Sequence, residues 1–399
     1  MWGKYMEELK ANNLYDYIKI LKDKKILDAY FRGESKKYPN IIASCYRDSF
    51  LSSDNSIIDG MIDEYYYEVS VRLSDVEKTN FISYSQHHGL PTNLIDITSS
   101  SLVALYFSCC NNLDEAGYVY VFKDNNFIRF SDEISGRKIK YFYNDLIEKD
   151  NIKLLFYNKL YEYYKTNKEG FILSLSKNLN LIKSIISVDS RYNSEGGNLI
   201  KAVDWFNSGI KEGYIFDRPN DFNYNFIQEI FSEKNNLIIT WKDIFNYMSK
   251  LVGYTFEPKI QKLDDYIMVY LTTFISLLIL KYSNIISELP DFPLILYTPD
   301  IKFDRMTLQS GRFIYQNILN SPLNRLNKQK TINNVQKIIP NAFIRIENKR
   351  EILDDLDLIG INKLTLFNDP DNMADYIYNK NKNKRAIVDI LEYFNIEEC

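Results

Sequence analysis

Hydrophobic residues in the first third of the chain follow two spacings, and each predicts its own kind of element. Apolar side chains recur every third or fourth position over residues 4–23 and 57–73, which is the spacing of one face of a helix. Short apolar or β-branched runs predict strands at 26–31, 93–97 and 117–122. The first third of the chain is therefore expected to combine helices with short strands.

A polar stretch separates one of these helices from the strand at 93–97. The capping-box spacing of Ser74 and Glu77 predicts a helix that ends at His88–Gly89, because Pro91 prevents its continuation. A further helix is expected over 100–110, directly after the strand. Polar groups placed between hydrophobic elements must form hydrogen bonds with each other or with a ligand.

Long helices dominate the middle of the chain, and strands return near its end. Helical spacing is found at 139–164, 172–188, 198–208, 223–233, 241–252 and 262–286. Strands are expected at 293–297, 313–315 and 342–346, with a helix at 349–358. The sequence thus predicts an α+β fold with a small mixed sheet and flanking helices. Residues 1–130 and 288–399 are expected to form the two halves of its core, and 131–287 a long helical insertion.

Composition argues against several classes of function. The formal net charge is −4 with acids and bases interspersed, so no strong nucleic-acid footprint is expected. Residues 266–280 carry no charge, but they are fewer than the ~20 residues of a membrane-spanning helix, which favours a buried helix. The four cysteines and the lack of a signal peptide indicate a cytoplasmic protein. Neither the cysteines nor the histidines have the spacing of a metal site.

The two histidines of the chain, His87 and His88, are adjacent. Imidazole is the side chain whose charge ordinarily changes near neutral pH, so proton transfer by an ordinary residue is expected at this pair. The alternative interpretation is a polar junction, in which Gln86 and His87 close a helix end with satisfied hydrogen bonds.

Several of these segments together resemble the FRG domain family. The matching segments are, in chain order, Phe31-Arg32-Gly33, Ser44-Cys45-Tyr46-Arg47, Gln86-His87-His88-Gly89-Leu90-Pro91-Thr92 with Leu94, Asp96 and Thr98, Ala104-Leu105-Tyr106-Phe107, Arg305 with Gln309-Ser310-Gly311-Arg312-Phe313, and Leu364–Pro370. Asn93 and Ile97 stand where members of the family usually have Arg and Trp. The resemblance implies a bacterial protein connected with toxins or antiviral defence.

The order of the motifs is also distantly similar to that of ADP-ribosyltransferases of the arginine–serine–glutamate type. This similarity implies that NAD is a substrate and that no cofactor is permanently bound. By the same comparison, Arg32 holds the dinucleotide phosphates and Thr98 or Ser99 contacts a ribose hydroxyl. Gln86 and Arg305 are further candidate nucleotide contacts.

The catalytic residues implied by this comparison are His87, Asp96 and Gln309. A carboxylate stabilises the positive charge that develops as nicotinamide leaves, but Gln309 stands at the glutamate position. Either another carboxylate, such as Asp96 or Glu34, serves instead, or the chain binds nucleotide without fast turnover. His87 is expected to act on a leaving group or an acceptor hydroxyl.

Structural alternatives remain open for each of these residues. Arg32 could form a buried ion pair with Asp96, and Asp96 could cap the helix that begins near Ser100. Gln309 could form a strand-end hydrogen bond, and Arg305 a surface salt bridge.

Two functions follow as hypotheses. The first is a nucleotide-handling enzyme, either an ADP-ribosyltransferase or an NAD glycohydrolase, acting as a toxin or defence effector. The second is a non-catalytic module that senses a protein or nucleotide ligand through the same pocket. A carboxylate that faces the pocket opposite Arg32 is the feature that separates them.

Overall fold

The computed structural model describes residues 8–26, 28–47, 55–188, 265–301, 303–320 and 333–393, with a few positions between 200 and 211. Its strands are β1 (Glu8–Ala11), β2 (Ala29–Glu34), β3 (Leu94–Thr98), β4 (Gly117–Lys123), β5 (Phe127–Phe130), β6 (Leu294–Tyr297), β7 (Gly311–Tyr315) and β8 (Ala342–Ile346). Its longer helices are α1 (Leu14–Asp23), α2 (Ser44–Arg47), α3 (Asn55–Val69), α4 (Asp75–Thr79), α5 (Phe81–His87), α6 (Ser101–Cys109), α7 (Phe142–Glu148), α8 (Asp150–Thr166), α9 (Lys168–Val188), α10 (Asp265–Tyr282), α11 (Asp304–Leu308), α12 (Lys349–Leu358), α13 (Lys363–Phe367) and α14 (Pro370–Tyr393).

The strands form one eight-stranded mixed sheet in the order β1-β8-β4-β2-β3-β7-β6-β5. The two outermost pairs, β1 with β8 and β5 with β6, are parallel, and the inner pairs are antiparallel. Together with the flanking helices, this arrangement confirms the predicted α+β fold.

Strand β4 shows how the sheet separates two hydrophobic cores. Successive side chains of a strand point to opposite faces, and Val119 and Val121 belong to one buried cluster while Tyr118 and Tyr120 belong to the other. Helices α1, α6 and α12 cover the first face. The second face carries the larger cluster, which includes α7, α8, α9 and α10.

The charge-free segment at 266–280 is a buried helix, as predicted. It lies within α10, and most of its side chains are almost completely buried. Phe274 of α10 packs edge-on against Tyr143 of α7 at 5.6 Å between ring centroids. Within the described ranges, no helix combines the length and the hydropathy of a membrane-spanning segment.

Several predicted elements differ from the structure. Residues 8–11 form β1 instead of extending the first helix, because they pair in parallel with β8. The capping box of Ser74 and Glu77 is confirmed, but the helix breaks at Asn80, whose side-chain oxygen accepts a hydrogen bond from Tyr297 at 3.1 Å.

The helices predicted for the middle of the chain fall partly within the described residues. The helix expected at 139–164 is divided into α7 and α8 at Lys149. The helices expected at 223–233 and 241–252, and part of that at 198–208, lie outside the described residues. The division into a core and an insertion at residues 131 and 287 stays a prediction.

Helix α6 packs unusually close to the sheet, because glycines face it on β2 and β4. A Cβ atom on Gly33 would overlap the carbonyl oxygen of Ala104 and approach the amide nitrogen of Ser108 to 2.8 Å. A Cβ atom on Gly117 would overlap the carbonyl oxygen of Ser108 in the same way. The glycine of the Phe-Arg-Gly motif therefore has a steric role in helix packing.

The C-terminal end of α6 is held by Lys349, the first residue of α12. The Lys349 side chain is buried, and its ammonium group donates hydrogen bonds to the carbonyl oxygens of Ser35, Asn111 (3.0 Å) and Asn112 (2.9 Å). Carbonyl groups beyond a helix end lack partners within the helix, and a cation is favourable there. Lys349 thus joins α12 to the ends of β2 and α6.

We predict that Gly33→Ala destabilises the protein, because the added methyl group forces α6 away from β2. Overpacking of a tight core typically costs about 1–3 kcal/mol, and this overlap is with backbone atoms that cannot move independently. The measurement is the midpoint of thermal unfolding.

Gly60→Ala is the matched control for this experiment, because a Cβ atom on Gly60 in α3 has no neighbour within 4 Å. That substitution should stabilise the helix by about 0.5–1 kcal/mol, since alanine favours a helix over glycine. An unchanged melting temperature for Gly33→Ala would contradict the close packing of α6.

Candidate functional site

A cleft opens in the middle of the sheet, where β2 and β3 separate. These two strands share a single residue pair, Phe31 opposite Thr98, whereas β2 pairs with β4 along its whole length. The cleft has a volume of about 300 Å³, at the lower end of the range for small-molecule sites. Seven residues selected from the sequence line it: Arg32, Gln86, His87, Asp96, Thr98, Arg305 and Gln309.

Arg32 spans the gap between the two strands. Its Nη1 donates a hydrogen bond to the backbone carbonyl of Asp96 at 2.8 Å, and its Nε donates to Oε1 of Glu34 at 2.9 Å. The ion-pair partner of Arg32 is therefore Glu34. The alternative raised from the sequence, an ion pair between Arg32 and the Asp96 carboxylate, is wrong. Glu34 lies outside the cleft lining, so it is not the carboxylate that faces a ligand.

The carboxylate of Asp96 is exposed in the cleft and oriented by the Gln-His motif. Gln86 Nε2 donates to Asp96 Oδ1 at 3.1 Å, while Gln86 Oε1 accepts a hydrogen bond from the Thr92 hydroxyl. The considered capping role for Asp96 is wrong, because the N-cap of α6 is Ser100. Among the described residues, Asp96 is the one carboxylate that lines the cleft.

The hydroxyl of Thr98 is engaged within the protein. It donates to the backbone carbonyl of Gln309 at 2.6 Å and accepts from the amide of Ser100 at 2.9 Å. Ser99 does not line the cleft, and its amide donates to the carbonyl of Ser310 at 3.1 Å. The contact of Thr98 or Ser99 with a ribose hydroxyl of the ligand stays a prediction.

His87 stacks face to face on Phe303, with 4.3 Å between ring centroids and 6° between ring planes. Burial lowers the pKa of His87 below its ordinary value, as do the neighbouring His88 and Arg305, while Asp304 opposes the shift. His87 is therefore neutral at pH 7, and one ring nitrogen can accept a proton.

Another part of the cleft lining comes from residues that follow position 300. Arg305 lies over the ring of Phe367 at 4.6 Å, so it is held by a cation–π contact instead of the considered surface salt bridge. The Gln309 side chain donates to the carbonyl of Leu366 at 3.0 Å. Among the described residues, neither Arg305 nor Arg312 forms an ion pair.

Sequence reasoning missed Arg312 and Phe303. Arg312 lines the cleft, and the β3–β7 register places it opposite Ile97. An arginine that begins an otherwise apolar strand, Phe313-Ile314-Tyr315, was the available signal. Phe303 carries no sequence signal of its own, since its role depends on its distance from His87.

Other reactive groups are unsuited to catalysis at neutral pH. Burial raises the pKa of the Cys109 thiol to about 11 and that of Cys45 well above its ordinary value. A thiol that stays protonated is a poor nucleophile. Within the described part of the chain, no three His, Cys, Asp or Glu residues lie together in a way that could hold a metal ion.

Comparison with known proteins identifies one segment of the chain. Residues 28–117 match the family model of the FRG domain. No curated protein and no solved structure matches the chain. The matched segment supplies Arg32, Gln86, His87, Asp96 and Thr98 to the cleft, whereas Arg305, Gln309 and Arg312 come from outside it.

We predict that His87 makes stability fall as the pH decreases below its ordinary pKa of about 6.5. Because the folded-state pKa of His87 is lowered, the unfolded chain binds more protons in the window below about 6.5, and acid favours unfolding there. The melting temperature measured from about pH 7.5 to about pH 5.5 should fall less in His87→Gln than in the unmutated protein. His88→Gln is the comparison variant and should keep more of the original slope than His87→Gln, because burial, the largest cause, still lowers the His87 pKa when His88 is removed; equal slopes in all three proteins would contradict the prediction.

Proposed function

Because the chain carries an FRG domain whose motif residues form one wall of the cleft, we propose that this cleft binds and cleaves a nucleotide of the NAD type. The observation that supports the proposal is the charge arrangement: Arg32, Arg305 and Arg312 line the same cleft as a single carboxylate, Asp96. A ligand that joins a cation to phosphate groups matches this arrangement.

The phosphates are assigned to the arginines. Guanidinium groups bind phosphate oxygens through two parallel hydrogen bonds, and these bonds are stronger than those between neutral groups. Arg305 and Arg312 are available because neither forms a close ion pair in the described part of the chain; Asp369 attracts Arg305 only at longer range. A cleft of this size accommodates the reacting half of a dinucleotide, and the other half then extends from its open mouth.

The nicotinamide end is assigned to Asp96. In NAD cleavage the bond between the ribose C1′ and the nicotinamide nitrogen breaks, and its electron pair leaves with nicotinamide. Positive charge develops on the ribose, which a fixed carboxylate stabilises more strongly than water does. Gln86 holds the Asp96 carboxylate in place, and the carboxylate thereby replaces the glutamate absent at Gln309.

The proton balance of the reaction is assigned to His87. The new bond to C1′ comes from water or from an acceptor hydroxyl, which loses a proton as it attacks. His87 is neutral at pH 7 and lines the cleft, so it can take this proton as a general base. Consumption of NAD accounts for the toxin or defence role that the family resemblance implies.

A second function, a sensing module without turnover, is favoured by a separate observation. The side-chain amide of Gln309 and the hydroxyl of Thr98 are both used in hydrogen bonds within the protein. If these bonds persist with ligand bound, the cleft holds a nucleotide without the full set of catalytic contacts. Binding and turnover therefore have to be measured separately.

We predict that Arg305→Ala weakens NAD binding about tenfold or more, because a hydrogen bond to a charged group contributes about 1.5–3 kcal/mol. Isothermal titration calorimetry with NAD is the measurement. Arg350→Ala is the matched control, since the Arg350 side chain is 74% exposed and lies outside the cleft. Equal affinities for the two variants would remove the phosphate assignment.

We predict that Asp96→Asn lowers the rate of nicotinamide release about 100-fold or more, because the charge opposite the developing cation is lost. The affinity for NAD should fall by less than the rate, since asparagine keeps the size and polarity of the side chain and only the attraction for the nicotinamide cation is lost. Release is followed by chromatography of nicotinamide. NAD binding without release by the unmutated protein would establish the sensing function instead.

A further inference from the structure

The feature that extends this proposal is the pair formed by Arg32 and Glu34 on β2. Residues two apart on a strand share a face of the sheet, and the carboxylate of Glu34 meets Nε of Arg32 at 2.9 Å. Glu34 is almost completely buried, whereas Arg32 reaches the cleft. The positive charge therefore faces the ligand site, and its counter-charge lies behind it.

The pair leaves Arg32 with unused donors. A guanidinium group has five N–H donors in a fixed plane, and two of these bond Glu34 and the Asp96 carbonyl. The remaining three have no partner among the described residues. Because the two bonds fix the plane of the group, the remaining donors have a defined direction before a ligand arrives.

The position of this pair argues against a purely structural role. Glu34 and Arg32 are two residues apart on a strand whose backbone is already fixed by six register pairs with β4. Their ion pair thus joins no distant parts of the chain. Buried ion pairs also contribute little to stability in general, because removing both charges from water offsets their attraction.

Among the described residues, Arg32 is the one ion-pair and hydrogen-bond partner of the Glu34 carboxylate, and Arg47 feels its charge only at longer range. Its second oxygen, Oε2, is buried and has no hydrogen-bond partner among the described residues. An incompletely bonded buried carboxylate is costly, so its presence needs a reason beyond the fold. Orientation of the Arg32 guanidinium provides that reason.

We propose that Glu34 is the positioning residue that presents Arg32 to an anionic group of the cleft's ligand. This inference rests on the proposed nucleotide function, and it assigns to Glu34 an effect through Arg32 without contact to the ligand. The ligand class is a phosphate or pyrophosphate ester, which accepts two parallel hydrogen bonds from one guanidinium.

A double-mutant cycle tests the proposal, with NAD and inorganic pyrophosphate as probes in calorimetry. Glu34→Gln alone should weaken binding of both probes about tenfold, because the amide keeps the size of the side chain but loses the charge that holds Arg32. Arg32→Ala should weaken binding at least as much. Adding Glu34→Gln to Arg32→Ala should change affinity less than about twofold, since Glu34 acts only through Arg32.

Two results would overturn the proposal. If Glu34→Gln lowers affinity equally in the unmutated protein and in Arg32→Ala, Glu34 acts on the ligand or on the fold. If Glu34→Gln alone leaves the affinity for both probes unchanged, the ion pair with Glu34 does not position Arg32. Melting temperatures of all variants are recorded, so that a loss of affinity is interpreted only for folded protein.

A ligand-independent measurement separates this inference from the proposed function. The Nε–H proton of Arg32, assigned in a ¹H–¹⁵N spectrum by its loss in Arg32→Lys, should exchange slowly with water in the unmutated protein and faster in Glu34→Gln. If neither probe binds the unmutated protein, the nucleotide function fails, and this exchange rate alone decides whether Glu34 orients Arg32. An unchanged exchange rate would overturn the orientation itself.

Discussion

The guanidinium of Arg32 connects two strands that the backbone leaves almost unpaired, and the candidate site depends on this connection. Beyond the Phe31–Thr98 pair, β2 and β3 separate, and a side-chain hydrogen bond to the Asp96 carbonyl takes the place of the missing ladder. A backbone bond would close the sheet at this point. A side-chain bridge instead keeps the strands apart and lets the cleft enter the sheet between them.

The cleft has two walls of different origin. The matched FRG segment provides the carboxylate, the histidine and the bridging arginine, and hydrogen bonds of its Gln-His motif orient the carboxylate. The other wall includes residues of β7 and α11, which supply Arg312 and Arg305, and Arg305 lies over the ring of Phe367 in α13. In the nucleotide proposal, the chemistry of the reaction therefore lies on the family segment, and the contacts with phosphate lie mainly outside it.

Local signals predicted much of the fold, because several elements are determined by nearby residues. The helix expected at 349–358 has the observed bounds, and the strand expected at 93–97 is shifted by one residue. In contrast, β1 has a helical spacing in sequence and becomes a strand only by pairing with β8, far along the chain. At the break between α4 and α5, the Asn80 side chain likewise contacts a residue distant in sequence, Tyr297.

For the candidate site as well, residues in local motifs could be predicted from the sequence, whereas contacts between distant segments could not. Motif residues near one another in sequence could be selected, and the structure brings most of them to one cleft. The partner of Arg32 was misassigned, since a choice between Glu34 and Asp96 requires the actual path of two strands. Phe303 was missed because a stacking contact with His87 leaves no trace in the sequence.

The order of strands in the sheet has a consequence for translation. The FRG segment contains β2 and β3 and ends at the first residue of β4; these three strands are adjacent in the sheet, and their outer neighbours, β8 and β7, are encoded later. About 190 residues separate Lys123 from Gly311, so a ribosome needs roughly ten to forty seconds to supply β7, the first strand that pairs with an edge of this unit. During that interval both edges of the nascent three-stranded unit are open to pairing with other chains, and productive folding depends on keeping them apart until the last quarter of the protein emerges.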